Sequence, residues 1–233
     1  MKAFLLAAGI GSRLQPLTNR TPKCMLEIGD RPLLGIWLDE LARAGVDEVL
    51  VNLHHLPEAV RRYAGQRSGL PAIRMVFEPE LLGSAGTLAA NRDWVQGEDF
   101  FLACNADNLT DFDVRSLAVA HRQGGAVATL TAFHSPEPSA SGILEVSSDG
   151  WVTGFTEKPA RPISDLANAG MYAFAPAVLD EIGGPPPRDI GYHLLPRLVG
   201  EARVVPVDGY FRDIGTPEAY RRAREEWPAV AAR

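Results

Sequence analysis

The stretch LLAAGIGSRLQPLTNRTPKCM (residues 5–25) leads from an apolar run directly into a loop that contains two glycines, an arginine and a lysine. Gly9 and Gly11 allow the backbone to pass close to a phosphate, and consecutive amide groups in such a turn form an anion-binding concavity. Arg13 and Lys23 add two positive charges, ten positions apart, to the same loop. The stretch therefore predicts a strand that ends in an anion-binding loop.

Two common nucleotide-binding motifs do not fit this loop. A dinucleotide-binding fingerprint has a third glycine where Leu14 stands, and a Walker A loop ends in Gly-Lys-Ser/Thr where this loop reads Gly-Ser-Arg. A dehydrogenase that holds a dinucleotide on these glycines is an alternative that Leu14 and the two cations disfavour. From the loop alone, a glycine-rich turn with solvated surface charges also stays open.

Outward from this loop, apolar runs of strand length alternate with amphipathic stretches. The predicted strands are 3–8, 48–53, 73–77 and 99–104, and the predicted helices lie near 32–45, 57–65 and 84–95. After residue 112 the pattern predicts a helix near 113–123, strands at 126–133, 142–147, 152–156 and 170–175, and a last helix near 217–227. We therefore expect an α/β fold, Rossmann-like, with a mixed, mostly parallel sheet and helices on both faces.

Composition excludes several classes of protein. The formal net charge of -6 argues against a nucleic-acid binder that neutralises many phosphates. No stretch approaches the roughly 20 apolar residues that span a bilayer, and the first residues lack the pattern of a signal peptide. We expect a cytoplasmic protein without nucleic-acid or membrane partners, in which Cys24 and Cys104 are reduced thiols.

The segment LLAAGIGSRLQPLTNRTPKCMLEIGDRPLL (5–34) resembles the signature of the sugar-1-phosphate nucleotidyltransferases. In that signature G-x-G-S/T-R-L-x-P-L-T precedes P-K and a G-x-P-L turn. Further matches follow in order at LGSAGTL (82–88), NADNLTD (105–111), FTEKP (155–159), NAGMYAF (168–174) and FRDIGTPEAY (211–220). The resemblance implies a GT-A-like nucleotidyltransferase domain over residues 1–233, with a nucleotide-binding half (1–112), a sugar-binding half (113–233) and no β-helix domain.

The implied activity is the transfer of a nucleoside monophosphate from a nucleoside triphosphate to a sugar-1-phosphate, with release of pyrophosphate. Such a reaction crowds negative charge and needs no protein nucleophile, so positioning and charge neutralisation must carry the rate. By resemblance, Arg13 holds the β and γ phosphates, Lys23 reaches the reacting phosphates, and Asp107 is the third catalytic residue. Asp107 and Asp213 are the implied ligands of a Mg²⁺ cofactor, which prefers carboxylates together with phosphate oxygens.

The resemblance also implies two sets of binding residues. The nucleotide set is Leu6, Ala7, Ala8, Gly9, Gly11, Ser12, Arg13, Glu78, Gly83, Ser84 and Asn105. The sugar-phosphate set is Gly142, Glu157, Lys158 and Asn168. His54 and His55 resemble metal ligands at first, but no third ligand falls at a suitable spacing, which favours a surface loop.

The identity of the base is less determined than the reaction. A carboxylate at Glu78 accepts from two adjacent donors, which guanine offers at N1 and N2, and uracil does not. The opening loop and the segment NLHHLP also resemble the mannose-1-phosphate guanylyltransferase branch, so GTP is favoured. A uridylyltransferase of the N-acetylmuramate-1-phosphate or hexose-1-phosphate type, a cytidylyltransferase and a regulatory pseudoenzyme that binds nucleotide sugars stay open, with a homodimer as the candidate assembly.

Overall fold

The computed structural model describes residues 1–232. Its strands are β1 (Lys2–Leu6), β2 (Glu27–Ile28), β3 (Arg31–Pro32), β4 (Glu48–Leu53), β5 (Ala72–Phe77), β6 (Phe101–Asn105), β7 (Asn108–Thr110), β8 (Ala128–His134), β9 (Gly142–Val146), β10 (Val152–Glu157), β11 (Leu166–Phe174), β12 (Ala202–Pro206) and β13 (Phe211–Asp213). Its α-helices are α1 (Leu33–Arg43), α2 (Pro57–Gly65), α3 (Ser84–Ala90), α4 (Arg92–Val95), α5 (Val114–Gly124) and α6 (Pro217–Ala231). None of these helices has both the length and the apolar character that a bilayer-crossing segment needs.

The chain folds into two compact units built from interleaved segments. Unit 1 contains Met1–Glu80, Cys104–Val114 and the chain from Gly209 onward, and unit 2 contains Leu81–Ala103 and Arg115–Asp208. Unit 1 therefore receives its last segments from distant parts of the sequence. The functional halves expected at residues 1–112 and 113–233 stay a prediction.

Unit 1 is built on parallel strands. β1 pairs with β4 and β4 pairs with β5, with Leu5 opposite Val51 and Val51 opposite Met75. The four residues Val49, Leu50, Val51 and Leu53 of β4 are almost completely buried, as expected for a parallel strand covered on both faces. In α1 the buried residues Leu34, Leu38 and Leu41 recur at helical spacing and pack into the same core.

Unit 2 is mainly antiparallel. β11 pairs antiparallel with β8, β10 pairs antiparallel with β9, and β12 runs parallel to its neighbour β8. The rings of Tyr172 and Phe174 on β11 stack with their centroids 5.1 Å apart, and Phe101 lies 5.9 Å from Phe174. These buried aromatic side chains are part of the core of the unit. The predicted α/β class and the mixed sheet are confirmed.

Several observed elements differ in extent from the predicted ones, such as the strand predicted at 170–175, which is Leu166–Phe174, and the structure explains two of these differences. The first strand ends at Leu6 rather than at residue 8, because the Ala7 amide donates to the Asn52 side chain (2.7 Å) instead of a neighbouring strand. The helix predicted near 84–95 is interrupted at Asn91, whose φ of -116° is not helical. The Asn91 side chain donates to the carbonyl of Thr87 (2.9 Å), which satisfies the end of α3.

Candidate active site

A buried lysine in unit 1 joins the two predicted metal ligands. The Lys23 ammonium donates to Asp107 Oδ2 at 2.7 Å and to Asp213 Oδ1 at 3.3 Å. Only 7% of Lys23 is exposed. Burial acts to lower the pKa of Lys23, but the Asp107 and Asp213 carboxylates outweigh it, so the pKa is raised. Lys23 is therefore a fixed positive charge between two carboxylates.

Short strands explain why Asp107 and Asp213 meet although they are far apart in sequence. β7 pairs antiparallel with β13, which places Asp213 opposite Asn108. The amide of Ile214 donates to the carbonyl of Asp107 at 3.0 Å, and the amide of Ala106 donates to the carbonyl of Leu6 at 3.1 Å. The backbone thus holds Asp107 between the end of β1 and the end of β13.

Arg13 lies beside this cluster, on the exposed side of the opening loop. A Cβ atom placed on Gly215 would lie 2.7 Å from Arg13 Nη2 and 2.9 Å from Asp213 Oδ1. Both side chains therefore occupy the space next to the Gly215 backbone, and a larger residue at this position would displace them. Sequence reasoning missed Gly215, although a glycine directly after Asp213-Ile214 is a visible signal.

The two glycines of the opening loop have different structural roles. Gly11 has a φ of +67°, and a Cβ there would lie 2.8 Å from Thr18 Cγ2. The Thr18 hydroxyl donates to the carbonyl of Gly11 at 2.8 Å and fixes the turn that continues into Ser12. A Cβ on Gly9 would meet open space. The backbone conformation and the Thr18 contact favour glycine at position 11. At Gly9 no protein atom fills the space beside the backbone, so a bound ligand could approach it.

Glu78 is almost completely buried, at 2% exposure, and Oε1 accepts from Asn52 Nδ2 at 2.9 Å. Asn52 also accepts from the amide of Ala7 (2.7 Å), so one side chain links Glu78 to the end of β1. Ala8, next in the predicted nucleotide set, is buried as well. Sequence reasoning missed Asn52, an amide within the buried run Val49–Leu53 of β4. Recognition of a base by Glu78 stays a prediction.

His54 and His55 lie after β4 and bind backbone carbonyls. His54 Nδ1 donates to the carbonyl of Glu78 at 2.8 Å, and His55 Nε2 donates to the carbonyl of Thr18 at 2.7 Å. Each carbonyl acceptor requires an N–H on the ring nitrogen that it contacts. The two imidazoles thus hold the segments that carry Glu78 and Gly11.

The predicted sugar residue Glu157 lies in unit 2, with 14% of its side chain exposed. A Cβ on Gly142 would lie 2.5 Å from Glu157 Oε2, and one on Gly191 would fall well inside contact distance of the same oxygen. Burial raises the pKa of Glu157 and Asp189 raises it further, whereas Lys158, 3.9 Å away, lowers it. The structure thus adds Asp189 and Gly191 to the surroundings of Glu157.

Two other predicted residues of unit 2, Asn168 and Ser84, have hydrogen-bond partners within the protein. Asn168 donates from Nδ2 to the Tyr172 hydroxyl (2.7 Å) and accepts at Oδ1 from the amide of Gly170 (3.1 Å). The Ser84 hydroxyl donates to Asp189 Oδ2 (3.0 Å) and accepts from the Ile190 amide (2.8 Å). These bonds give the two side chains structural roles. Their substrate contacts stay predictions.

The structure gives the backbone conformation or the surroundings of three further predicted residues. Gly83, before α3, has a φ of +77°. Asn105 is the last residue of β6 and is half-buried. Lys158 is exposed and has a φ of +46°, and its ammonium lies 6.0 Å from the centre of the Tyr192 ring. Their roles in binding stay predictions.

The exposure of Asp107 and Asp213 is compatible with a magnesium ion that is also bound by a phosphate ligand. Their side chains are 40% and 53% exposed, so carboxylate oxygens stay accessible while both approach Lys23. Within residues 1–232 no group of three or more His, Cys, Asp or Glu side chains could enclose a metal ion. Mg²⁺ commonly takes one or two carboxylates and completes its shell with phosphate oxygens and water. The two aspartates suit an ion shared with a phosphate ligand.

Comparison with known protein families gives a match to nucleotidyl transferases over residues 2–229. The chain belongs to this family. Its relatives include the mannose-1-phosphate guanyltransferase of Schizosaccharomyces pombe, 33% identical over 94% of this chain and 62% of the relative. Another is the UTP–glucose-1-phosphate uridylyltransferase of Synechocystis sp., 34% identical over 96% of this chain and 62% of the relative. The chain thus spans about three fifths of the length of these relatives.

Solved structures have the same fold. A Bacillus anthracis protein described as a candidate glucose-1-phosphate thymidylyltransferase, in complex with a sucrose, has a TM-score of 0.85 and 24% identity, covering 97% of this chain and 94% of its own. HddC from Yersinia pseudotuberculosis, complexed with GMP-PN, has a TM-score of 0.80 and 21% identity, covering 97% of this chain and 99% of its own. At these identities the likeness establishes the fold.

Proposed function

We propose that this nucleotidyl transferase transfers a nucleoside monophosphate from a nucleoside triphosphate to a sugar-1-phosphate and releases pyrophosphate. The observation that carries the proposal is the Lys23 ammonium held between Asp107 and Asp213, with Arg13 beside them. Fixed charges of both signs beside a glycine loop suit a reaction between two phosphates. The relatives named as sugar-1-phosphate nucleotidyltransferases support the same reaction class.

In the proposed reaction, a phosphate oxygen of the sugar-1-phosphate forms a bond to the α-phosphorus while the bond to the pyrophosphate oxygen breaks. The electron pair of the broken bond leaves with pyrophosphate, so no covalent bond to the protein is needed. Lys23 neutralises charge at the reacting phosphates, and Arg13 holds the β and γ phosphates. Mg²⁺, held by Asp107 and Asp213, would supply further positive charge at the phosphate oxygens.

Substrate recognition is assigned to backbone groups and to a few side chains. The amides around Gly9 and Gly11 would surround the triphosphate, because Gly9 leaves open space and Gly11 fixes the turn. Glu157 would accept hydrogen bonds from sugar hydroxyls and Lys158 would contact the sugar phosphate. Gly142 and Asn168 would complete the sugar site, the former through its close backbone.

GTP is the proposed nucleotide and mannose-1-phosphate the proposed sugar, because several relatives at 29–33% identity are mannose-1-phosphate guanylyltransferases. The Synechocystis relative at 34% identity supports UTP and glucose-1-phosphate as the second candidate pair. Mg²⁺ as the cofactor, a homodimer as the assembly and the cytoplasm as the location complete the proposal. Light scattering after size-exclusion chromatography tests the dimer.

A pyrophosphate-release assay tests the proposal directly. The purified chain is given each of GTP, UTP, CTP and dTTP with a panel of sugar-1-phosphates in the presence of Mg²⁺. We expect release that requires both substrates and is fastest with GTP and mannose-1-phosphate. Release with another pair would retain the reaction and overturn the substrates, and no release with any pair would overturn the transferase assignment.

A further inference from the structure

One side chain of unit 2, Asp189, is the centre of a hydrogen-bond network that the proposed reaction has not used. Asp189 Oδ1 accepts from the amides of Gly191 (2.9 Å) and Tyr192 (3.3 Å), which caps the following helical turn. Asp189 Oδ2 accepts from the Ser84 hydroxyl at 3.0 Å. Both carboxylate oxygens are thus engaged, each by a different segment of the chain.

The segment Leu82–Gly86, which contains Gly83 and Ser84 of the predicted nucleotide set, is fastened to the loop that carries Asp189. The amide of Arg188 donates to the carbonyl of Leu82 at 2.7 Å, and the amide of Gly86 donates to the carbonyl of Arg188 at 3.1 Å. A Cβ on Gly83 would collide with the Arg188 carbonyl. Backbone hydrogen bonds and close packing therefore fix the segment Leu82–Gly86 against the loop that carries Asp189.

On its other side the same loop forms a wall of the proposed sugar site. A Cβ on Gly191 would lie 3.2 Å from Asp189 Oδ1 and would also collide with Glu157 Oε2. The Glu157 carboxylate therefore occupies space that exists only because residue 191 is glycine. The position of Gly191 is in turn set by its amide bond to Asp189.

We propose that Asp189 is a positioning residue that couples the nucleotide side of unit 2 to its sugar side. It holds Ser84 in the segment Leu82–Gly86 and, through the Gly191 backbone, supports Glu157. This inference rests on the proposed function, because that function assigns substrates to the two sides. The proposed reaction assigns the reacting phosphates and the metal ion to residues of unit 1, so loss of Asp189 should weaken the binding of both substrates and leave the chemical step largely intact.

The test compares KM and kcat for both substrates in Asp189→Ala, Asp189→Asn and Ser84→Ala. We expect Asp189→Ala to raise both KM values by roughly 5- to 30-fold, the effect of losing one well-formed hydrogen-bond network, with kcat changed much less. Asp189→Asn should restore part of the loss, because its amide oxygen still accepts from Gly191 and Tyr192. In the Asp189→Ala background, Ser84→Ala should add little, since the partner is already gone.

Gly191→Ala and Gly183→Ala provide a matched pair of glycine variants. Gly191→Ala should raise the KM of the sugar phosphate, because the added Cβ displaces the Glu157 carboxylate. Gly183→Ala should leave all constants unchanged, because its Cβ meets open space and its φ is not positive. Thermal melting verifies that each variant folds, and Asp189→Asn replaces Asp189→Ala if the latter does not.

Calorimetric titration of the same variants with the nucleoside triphosphate and with the sugar-1-phosphate separates the inference from the proposed function. Loss of affinity for both ligands in Asp189→Ala supports the coupling even if the wild-type chain releases no pyrophosphate, an outcome that overturns only the transferase. A loss confined to one ligand, or additive effects of Ser84→Ala and Asp189→Ala, would overturn the coupling. So would a lower melting temperature with unchanged affinities.

Discussion

The buried charged side chains of the two units differ in how many charged partners they contact. In unit 1 the Lys23 ammonium contacts two carboxylates and is almost completely buried. In unit 2 the Glu157 carboxylate has only the exposed Lys158 ammonium, at 3.9 Å, and within residues 1–232 it receives no hydrogen bond from the protein. The two carboxylates raise the pKa of Lys23 against the effect of burial. Burial and the nearby Asp189 carboxylate raise the pKa of Glu157, because both disfavour its charged form.

The two regions therefore differ in the interactions that a ligand must supply. In unit 1 the Lys23 ammonium is held by two carboxylates before any ligand binds, so its position is fixed in advance, as a charge-stabilising site requires. Glu157 is a carboxylate with unused acceptor capacity, and a hydroxyl-bearing ligand would supply the donors that the protein does not. The largest mutational effects should therefore be found in unit 1, and smaller, ligand-dependent effects in unit 2.

Removal of the lysine charge should have different kinetic effects in the two units. Lys23→Met keeps most of the apolar stem but removes the charge between Asp107 and Asp213, and we expect kcat to fall by roughly 10² to 10³. Lys158→Met, the matched change in unit 2, should mainly raise the KM of the sugar phosphate. Steady-state pyrophosphate release measures both. Equal losses of kcat in the two variants would show that the two regions do not differ as described.

A second prediction concerns the carboxylates of unit 1. Asp107→Asn and Asp213→Asn preserve shape but remove charge, and each should lower kcat by about 10², the scale seen for one transition-state stabiliser. Addition of EDTA should abolish turnover of the wild-type chain, and Mg²⁺ should restore it. Glu218→Gln is the control, because this exposed carboxylate binds Arg221 and Arg222 on its own helix. Full activity in EDTA would contradict the magnesium assignment.

A third and smaller effect is expected at the glycine loop. Gly9→Ala places a methyl group where the protein leaves open space, so folding should be unaffected while nucleotide approach is blocked. We expect the KM of the nucleoside triphosphate to rise by about tenfold, equivalent to roughly 1.4 kcal/mol of binding. Gly65→Ala at the end of α2 is the control, since its Cβ also meets open space. An unchanged KM for Gly9→Ala would place the nucleotide elsewhere.

Regular elements were predictable from the sequence because their signals are local. β4 and α2 have the bounds that their apolar periodicity predicts, 48–53 and 57–65. The break at Asn91 was not predictable, because TLAANRDW contains no strong helix breaker and the interruption depends on a side-chain bond to Thr87. β7 and β13 are three residues each, too short for a period, and each exists through pairing with the other.

The same limit applies to the candidate site. Arg13, Lys23, Asp107 and Asp213 were identified through the order of motifs, and the structure brings them together in unit 1. Asn52 and Asp189 were missed, because their roles arise from partners that lie 26 and 105 positions away. The sequence around a single amide or carboxylate does not indicate which distant segment that side chain will contact.

The smallest predicted effect is a pH dependence of stability at Glu157. Burial and Asp189 raise the pKa of Glu157 above its ordinary value of 4.5. Between 4.5 and the raised pKa the folded chain therefore binds more protons than the unfolded chain, so the contribution of Glu157 to the free energy of unfolding falls as pH rises through that interval. Glu157→Gln has no charge to bury and should lose this dependence.

Melting temperatures of the wild-type chain and of Glu157→Gln, measured from pH 4 to pH 8 without ligand, test the sign. Above the raised pKa, Glu157→Gln should melt at a higher temperature than the wild type, and the gap should shrink as pH falls toward 4.5. Glu225→Gln serves as the control, because Glu225 is exposed on α6 and binds Arg221. Saturating sugar-1-phosphate should close the gap at high pH, since the hydroxyl donors that Glu157 lacks in the protein would then stabilise its charged form. A difference in melting temperature that does not change with pH would show that the folded structure does not raise the pKa of Glu157.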